Sequence, residues 1–311
     1  MRTPKPPNPE LVRPAGPWLH RDLSVNGTQL HIVETGNLRS RDAVILLHGF
    51  PQFWWSWRHV LAELADSDRR IVAVDLRGCG GSDRPPTGYD LLTLSRDVVG
   101  VATAVGASRI VVAGAGIGGA LAWMIPHLAP DVVQAIVPIC APHPLEVRSH
   151  PAGLLTRAAV SYGYFQVPVL AARTLRSGRL IRTLLRRWTG RDNRAVMLEE
   201  ADRYAAVLQA PFAAECALRP LRELRYLSRA QRRLLRRPVL CPVWSVRGAA
   251  DRVLPPTAYA HDAMHSAAPL TQLVIPRAGH FIAEEAPATL ATQLSEVADA
   301  AFASPGADGH N

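Results

Sequence analysis

The chain has 311 residues, 48% hydrophobic and 20% charged, a balance that excludes a disordered or fibrous protein and suffices for one large α/β unit with an insertion. The formal net charge of +9 invites a nucleic-acid or membrane partner. Lys5 is the only lysine, however, and such an arginine bias beside abundant Ala and Pro is what a GC-rich coding sequence produces, so no nucleic acid is expected. Cys79, Cys140, Cys216 and Cys241 are scattered without the paired spacing of a zinc site or a disulfide framework, which points to free thiols in a reducing compartment.

Residues 1–17 are rich in proline and hold no apolar run of the kind a secretory signal needs, so a flexible start and a cytoplasmic location are expected. Leu23–Val25 and Leu30–Glu34 flank Asn26-Gly27 and predict an antiparallel hairpin. Ala43–Leu47, Ile71–Asp75, Arg109–Ala113, Val133–Ile139, Val239–Val246 and Thr271–Ile275 are short β-rich runs alternating with helical patterns, which predicts eight strands in a mostly parallel sheet flanked by helices. The glycines within Ile110–Pro126 make that apolar stretch a strand, turn and helix, not a membrane span. Strand signals stop after Pro142 and return near Val239. The expected organisation is therefore a core of 18–143 and 238–303, a helical lid of 144–237 over the carboxyl ends of the strands, and a flexible tail of 304–311. Between Arg173 and Arg237 stand 17 arginines against six acidic residues, so the basic character belongs to the lid. It reads either as a solvated helical face or as a weak contact with an anionic membrane or acidic partner.

Chemistry-bearing motifs follow the strands. Leu47-His48-Gly49-Phe50-Pro51 is continued by Trp54-Trp55-Ser56-Trp57-Arg58. Asp75-Leu76-Arg77-Gly78-Cys79-Gly80-Gly81-Ser82-Asp83-Arg84-Pro85 follows the fourth strand, and Gly114-Ala115-Gly116-Ile117-Gly118-Gly119 follows the fifth. Arg247-Gly248-Ala249-Ala250-Asp251 follows the seventh. Ala278-Gly279-His280-Phe281, continued by Glu284-Glu285-Ala286-Pro287, follows the eighth. In this order they resemble the α/β-hydrolase superfamily, in its epoxide hydrolase and haloalkane dehalogenase branch, over about Gly16 to Phe302, with actinobacterial epoxide-hydrolase-like proteins nearest in character.

The resemblance implies the α/β-hydrolase fold with a helical lid inserted after strand six. It implies an oxyanion hole from the N–H groups of Phe50 and Ile117, and Asp251 as the acid that orients the base His280. His48, Pro51, Trp54 and Leu221 are expected to line an apolar substrate pocket, with Phe50 beside them. In this branch an aspartate preceded by histidine occupies the tip of the turn after strand five; here the pair is Ala115-Gly116, and no Ser, Cys, Asp or Glu occurs from Ile110 to Ala122. The position of the nucleophile is vacant.

Epoxide hydrolases of the branch also use two lid tyrosines to protonate the leaving alkoxide. Ser161-Tyr162-Gly163-Tyr164-Phe165 resembles the first segment and leaves Tyr162 and Tyr164 as alternatives, whereas Leu221 stands where the second tyrosine belongs and Tyr226 is offset by five residues. An engineered knockout of the nucleophile would normally change one residue; Ala115, Gly116 and Leu221 depart together, which favours natural divergence. Cys140 is a candidate substitute thiol. His261 and His265 lack a third ligand, so a solvated helix face is the simpler reading, and no metal and no cofactor are expected. Two functions stay open. One is hydrolysis of a small apolar ester or lactone by a water that His280 and Asp251 activate; the other is an inactive pseudoenzyme that binds a hydrophobic small molecule or a protein partner. The sequence does not fix the oligomeric state.

Overall fold

A computed structural model describes residues 9–149 and 163–303. The strands are β1 (Leu19–Val25), β2 (Thr28–Gly36), β3 (Asp42–Leu47), β4 (Arg70–Val74), β5 (Arg109–Ala115), β6 (Val133–Ile139), β7 (Val243–Gly248) and β8 (Leu270–Ile275). They form one eight-stranded sheet in the order β1-β2-β4-β3-β5-β6-β7-β8. The β1–β2 and β2–β4 pairs are antiparallel and every other pair is parallel. Asn26 and Gly27, both with positive φ, close the β1–β2 hairpin.

The central strands are apolar on both faces because helices cover both. Ala43, Ile45 and Leu47 join the core on one side of the sheet with Val72 and Val74, while Val44 and Leu46 join the other with Ile71 and Ala73. This is the two-residue alternation of an extended chain buried on both sides. The helices Leu91–Ala104 and Ile117–Met124 pack on the first face, and Pro287–Ala303 on the second. Asp90 caps Leu91–Ala104 by accepting from the N–H groups of Leu92 and Thr93.

Register decides where the loops emerge. Leu47 lies opposite Gly114, Ala115 opposite Ile139, and Ile139 opposite Val246, so the carboxyl ends of β3, β5, β6 and β7 are level. The chain segments that follow them share one edge.

Between β6 and β7 the described residues are helical, with Pro144–Ser149, Pro168–Arg176, Arg179–Trp188, Arg194–Glu199, Ala201–Val207, Ala213–Glu223 and Arg229–Leu235. Helix Arg179–Trp188 buries Ile181, Leu184, Leu185 and Trp188, the spacing of one helical face, and turns its arginines outward. Phe165, Leu175, Leu218 and Leu221 join the second-face core, so the insertion packs on the sheet domain through apolar residues.

Two expectations are corrected. The expected flexible stretch 1–17 is anchored from Pro9 onward: Pro9–Val12 is a helical turn, Val12 is buried, and its carbonyl accepts from Trp54 Nε1 at 2.8 Å. The strand expected from Val239 starts at Val243, because Pro238 and Pro242 have no N–H to give a ladder, and Val239 makes only an isolated bridge to Ser266.

Candidate functional site

The turn between β5 and helix Ile117–Met124 is built by close approach. A Cβ on Gly114 would lie 2.2 Å from the Gly118 carbonyl, and one on Gly119 2.3 Å from Ala141 Cβ, so the helix meets the strand ends only because these positions lack side chains. Gly116 sits at the tip with φ 52° and ψ −111°, its N–H donating to Ile139 O at 3.0 Å. Here an added Cβ would make ordinary contacts and no clash. A Cβ on Gly116 would lie 3.8 Å from both His280 Nε2 and Gly49 Cα.

His280 Nδ1 lies 3.0 Å from Asp251 Oδ2, and both side chains are almost fully buried. The carboxylate accepts, so Nδ1 carries the proton and Nε2, on the Gly116 side, is left as the basic nitrogen. Val253 N–H donates to Asp251 Oδ1 at 2.7 Å and fixes the carboxylate. The His280 turn is held from the insertion as well as from the core. His280 N–H donates to Trp188 O at 2.9 Å, and the Trp188 ring meets the imidazole edge-on at 5.4 Å. Glu285 accepts from Gly279 N–H at 2.8 Å, Phe281 N–H at 3.0 Å and Gly190 N–H at 2.8 Å, tying both neighbours of His280 to the insertion.

Gly49 borders the Gly116 tip, and Phe50 follows it in the chain. Phe50 is buried against Phe165 of the insertion, rings 5.1 Å apart, and precedes Pro51 through a cis peptide bond. Ile117 opens its helix, so its N–H is one of those a helix leaves without an internal acceptor. Leu221 is buried in helix Ala213–Glu223, in the same core cluster as Phe50 and Phe165. Pro51 lines a small cleft with Gln52, Tyr204 and Ala213.

Other expected pocket residues lie elsewhere. Trp54 is fully buried among Trp18, His20, His31 and Phe53, with its backbone N–H on Asp75 Oδ1 at 2.7 Å; it is a core residue, not a pocket wall. His48 bonds through Nδ1 to Gly49 O at 2.9 Å and through Nε2 to Leu76 N–H at 3.1 Å. Burial holds its pKa below the usual range, so it is a neutral strut between two loops and not a substrate contact. Tyr164 O–H is engaged by Thr174 Oγ1 at 2.7 Å within the insertion, and Tyr226 is largely exposed. Tyr162 lies outside the described residues.

Cys140 does stand beside the dyad. Burial pushes its thiol well above the usual range, which removes the thiolate a nucleophile needs. His261 and His265 each bond one oxygen of Glu146, at 3.1 and 2.8 Å, in place of a metal. Contrary to the absence of a metal set in the sequence spacing, one trio among the described residues has the donors for an ion: Cys140, Asp251 and His280, their ligand atoms within 4.8 Å of one another. The three come from separate segments, so no spacing reveals them.

Sequence reasoning also missed a buried ionic network joining insertion and core. Glu284 accepts from Gln52 Nε2 at 2.7 Å, from Arg58 Nη1 at 2.8 Å and from the Tyr204 hydroxyl, and burial raises its pKa. Arg58 also reaches Glu200 of the insertion at 3.2 Å. Glu284 and Glu285 were visible in the motif after His280, but nothing in their spacing assigns partners so distant in the chain. An open groove of about 810 Å³ lies at the opposite edge of the sheet, lined by Pro126, Val133, Pro238, Val239 and Pro242, and has no part in this site.

Residues 42–287 match the family model for the alpha/beta hydrolase fold. The chain is 33% identical over 197 residues to Epoxide hydrolase 4 of Mus musculus, a match covering 60% of this chain and 54% of the relative. It thus spans about half the length of that relative. Over 275 residues it is 28% identical to the AB hydrolase superfamily protein YfhM of Bacillus subtilis, covering 86% and 93%. The crystal structure of Epoxide Hydrolase A from Mycobacterium thermoresistibile superposes with a TM-score of 0.74 at 27% identity, covering 90% of this chain and 98% of that one. No helix among the described residues is long and apolar enough to cross a membrane.

Proposed function

We propose, from the premise that this chain belongs to the alpha/beta hydrolase fold family, that it hydrolyses a small apolar ester or lactone with water in place of a side-chain nucleophile. In this reading Gly116 occupies the nucleophile position. The observation that carries it is the missing side chain at Gly116, where a Cβ would meet His280 Nε2 and Gly49 Cα at an ordinary contact distance of 3.8 Å, while the Asp251–His280 bond is kept at 3.0 Å. A water needs only about 10–15 Å³ and two or more polar partners.

His280 Nε2 takes a proton from that water, and the oxygen attacks the carbonyl carbon. The negative charge forming on the carbonyl oxygen is received by the N–H groups of Phe50 and Ile117. Asp251 stabilises the imidazolium, which returns the proton to the leaving alkoxide as the tetrahedral intermediate collapses to acid and alcohol. Epoxide opening suits these residues less, since position 116 offers no carboxylate, the Tyr164 hydroxyl is engaged by Thr174, and Leu221 has no proton to give. The apolar surroundings of Phe50, Phe165 and Leu221 favour a hydrophobic acyl group, and the insertion acts as the lid.

A second reading is a receptor that binds such a molecule without turnover. It is favoured by the lack of any Ser, Cys, Asp or Glu from Ile110 to Ala122. A panel of esters, lactones and epoxides assayed with the full chain and with His280→Ala separates the two. Ester turnover that disappears in His280→Ala supports the hydrolase. Saturable binding with no turnover, unaffected by His280→Ala, supports the receptor.

A further inference from the structure

The Asp251–His280 pair has a third buried neighbour. Cys140 Sγ, an Asp251 carboxylate oxygen and a His280 ring nitrogen lie within 4.8 Å of one another, presented by the turn after β6, the loop after β7 and the turn after β8. Cys140 holds φ at 47°, a left-handed conformation that a non-glycine residue seldom adopts, and such strain persists where the surroundings fix a side chain in place. The Tyr259 hydroxyl is buried and has no hydrogen-bond partner among the described residues, and after burial the nearness of Cys140 and Asp251 is among the causes that raise its pKa. A buried polar atom without a partner asks for one.

We propose that Cys140, Asp251 and His280 form a binding site for a thiophilic divalent cation such as Zn²⁺, and that filling it converts His280 from a base into a proton donor. Thiolate, carboxylate and imidazole are the donors zinc prefers. Tetrahedral coordination at zinc's usual bond lengths sets ligand atoms roughly 3.3–3.6 Å apart. Asp251 Oδ2 and His280 Nδ1, now 3.0 Å apart, have to separate by a few tenths of an ångström. Asp251 Oδ1 stays on Val253 N–H, so only Oδ2 turns to the ion. The otherwise unpartnered Tyr259 hydroxyl is the nearby oxygen for a fourth position.

The proton balance follows from the ligands. Cys140 releases its thiol proton to solvent, and His280 gives up the proton on Nδ1 and carries one on Nε2 instead. The nitrogen facing Gly116 is then an N–H, which can donate but cannot accept. This loss of the base rests on the hydrolase reading; cation binding itself does not.

Titration of the reduced full chain with Co²⁺ under anaerobic conditions tests the site. A thiolate-to-cobalt charge-transfer band is expected to saturate at one equivalent, to vanish in Cys140→Ser, and to weaken in Asp251→Asn. It should survive in the triple variant Cys79→Ser, Cys216→Ser, Cys241→Ser, where Cys140 is the sole thiol. That triple variant answers the question even if Cys140→Ser fails to fold. No band in the folded triple variant, or a band that persists in Cys140→Ser, overturns the proposal. The absorbance result is independent of turnover, so failure of the esterase reading and failure of the cation site are separate outcomes. Where ester hydrolysis is found, Zn²⁺ should abolish it and a chelator restore it.

Discussion

Gly116 separates backbone from reagent. Its φ of 52° and ψ of −111° would cost any side chain about 1–3 kcal/mol of conformational strain, yet no atom lies closer than 3.8 Å to an added Cβ. Gly116→Asp should therefore fold, with stability lower by about that amount in urea denaturation. Incubation with epoxides or haloalkanes should leave the intact mass of the unaltered chain unchanged, because an alkyl ester needs a carboxylate at 116, and should give Gly116→Asp an adduct. An adduct on the unaltered chain mapped to Gly114–Gly119 would refute the vacancy. Epoxide turnover by Gly116→Asp should stay low until Leu221→Tyr is added, since general acid assistance typically contributes about 10²–10⁴-fold. Full activity without that second change would mean the alkoxide takes its proton from another group.

At the scale of elements, the entry into the insertion is fastened by groups that respond to pH. Asp262, on the turn Asp262–His265, accepts from His143 N–H at 2.8 Å just before helix Pro144–Ser149, and Glu146 of that helix bonds His261 and His265. Burial raises the Asp262 carboxyl from 3.8 to about 7. The folded state thus favours the protonated acid. Its contribution is full below the unfolded value near pH 4, declines as pH rises toward 7, and is gone above that. Asp262→Asn keeps an oxygen for His143 but cannot ionise. Its stability relative to the unaltered chain should rise by up to a few kcal/mol between pH 4 and pH 7 and then level off, as read from denaturant midpoints. A relative stability that does not change with pH would show that Asp262 ionises freely in place.

Across the whole molecule, the parts legible in the sequence are those set by local pattern. Short β-rich runs and the Asn26-Gly27 turn reveal the strands, and loss of those runs reveals the helical insertion. Gly116, Asp251 and His280 are legible because each follows a strand that ends at one edge of the sheet. Side-chain direction is not local. Trp54 and His48 belong to motifs that adjoin the site, yet their side chains turn inward, the indole N–H to Val12 O and the imidazole to Leu76 N–H. Cys140 joins Asp251 and His280 only through folding. Charge is legible as a total but not as a purpose. If the 17 arginines from Arg173 to Arg237 serve an anionic surface, as proposed for this segment, the chain should co-sediment with phosphatidylserine vesicles at low salt. Binding should fade as the screening length falls toward about 10 Å at 0.1 M, whereas absence of binding at every salt concentration would return the arginines to a solvated face. The contact between insertion and His280 turn also bears on recombination. A Cβ on Gly190 would lie 2.3 Å from Arg277 O, and one on Gly279 2.4 Å from Gly190 N. A chimera that exchanges this insertion for a relative's will dock only if the donor brings a glycine to that crossing, so the two halves of the chain are inherited as a matched pair.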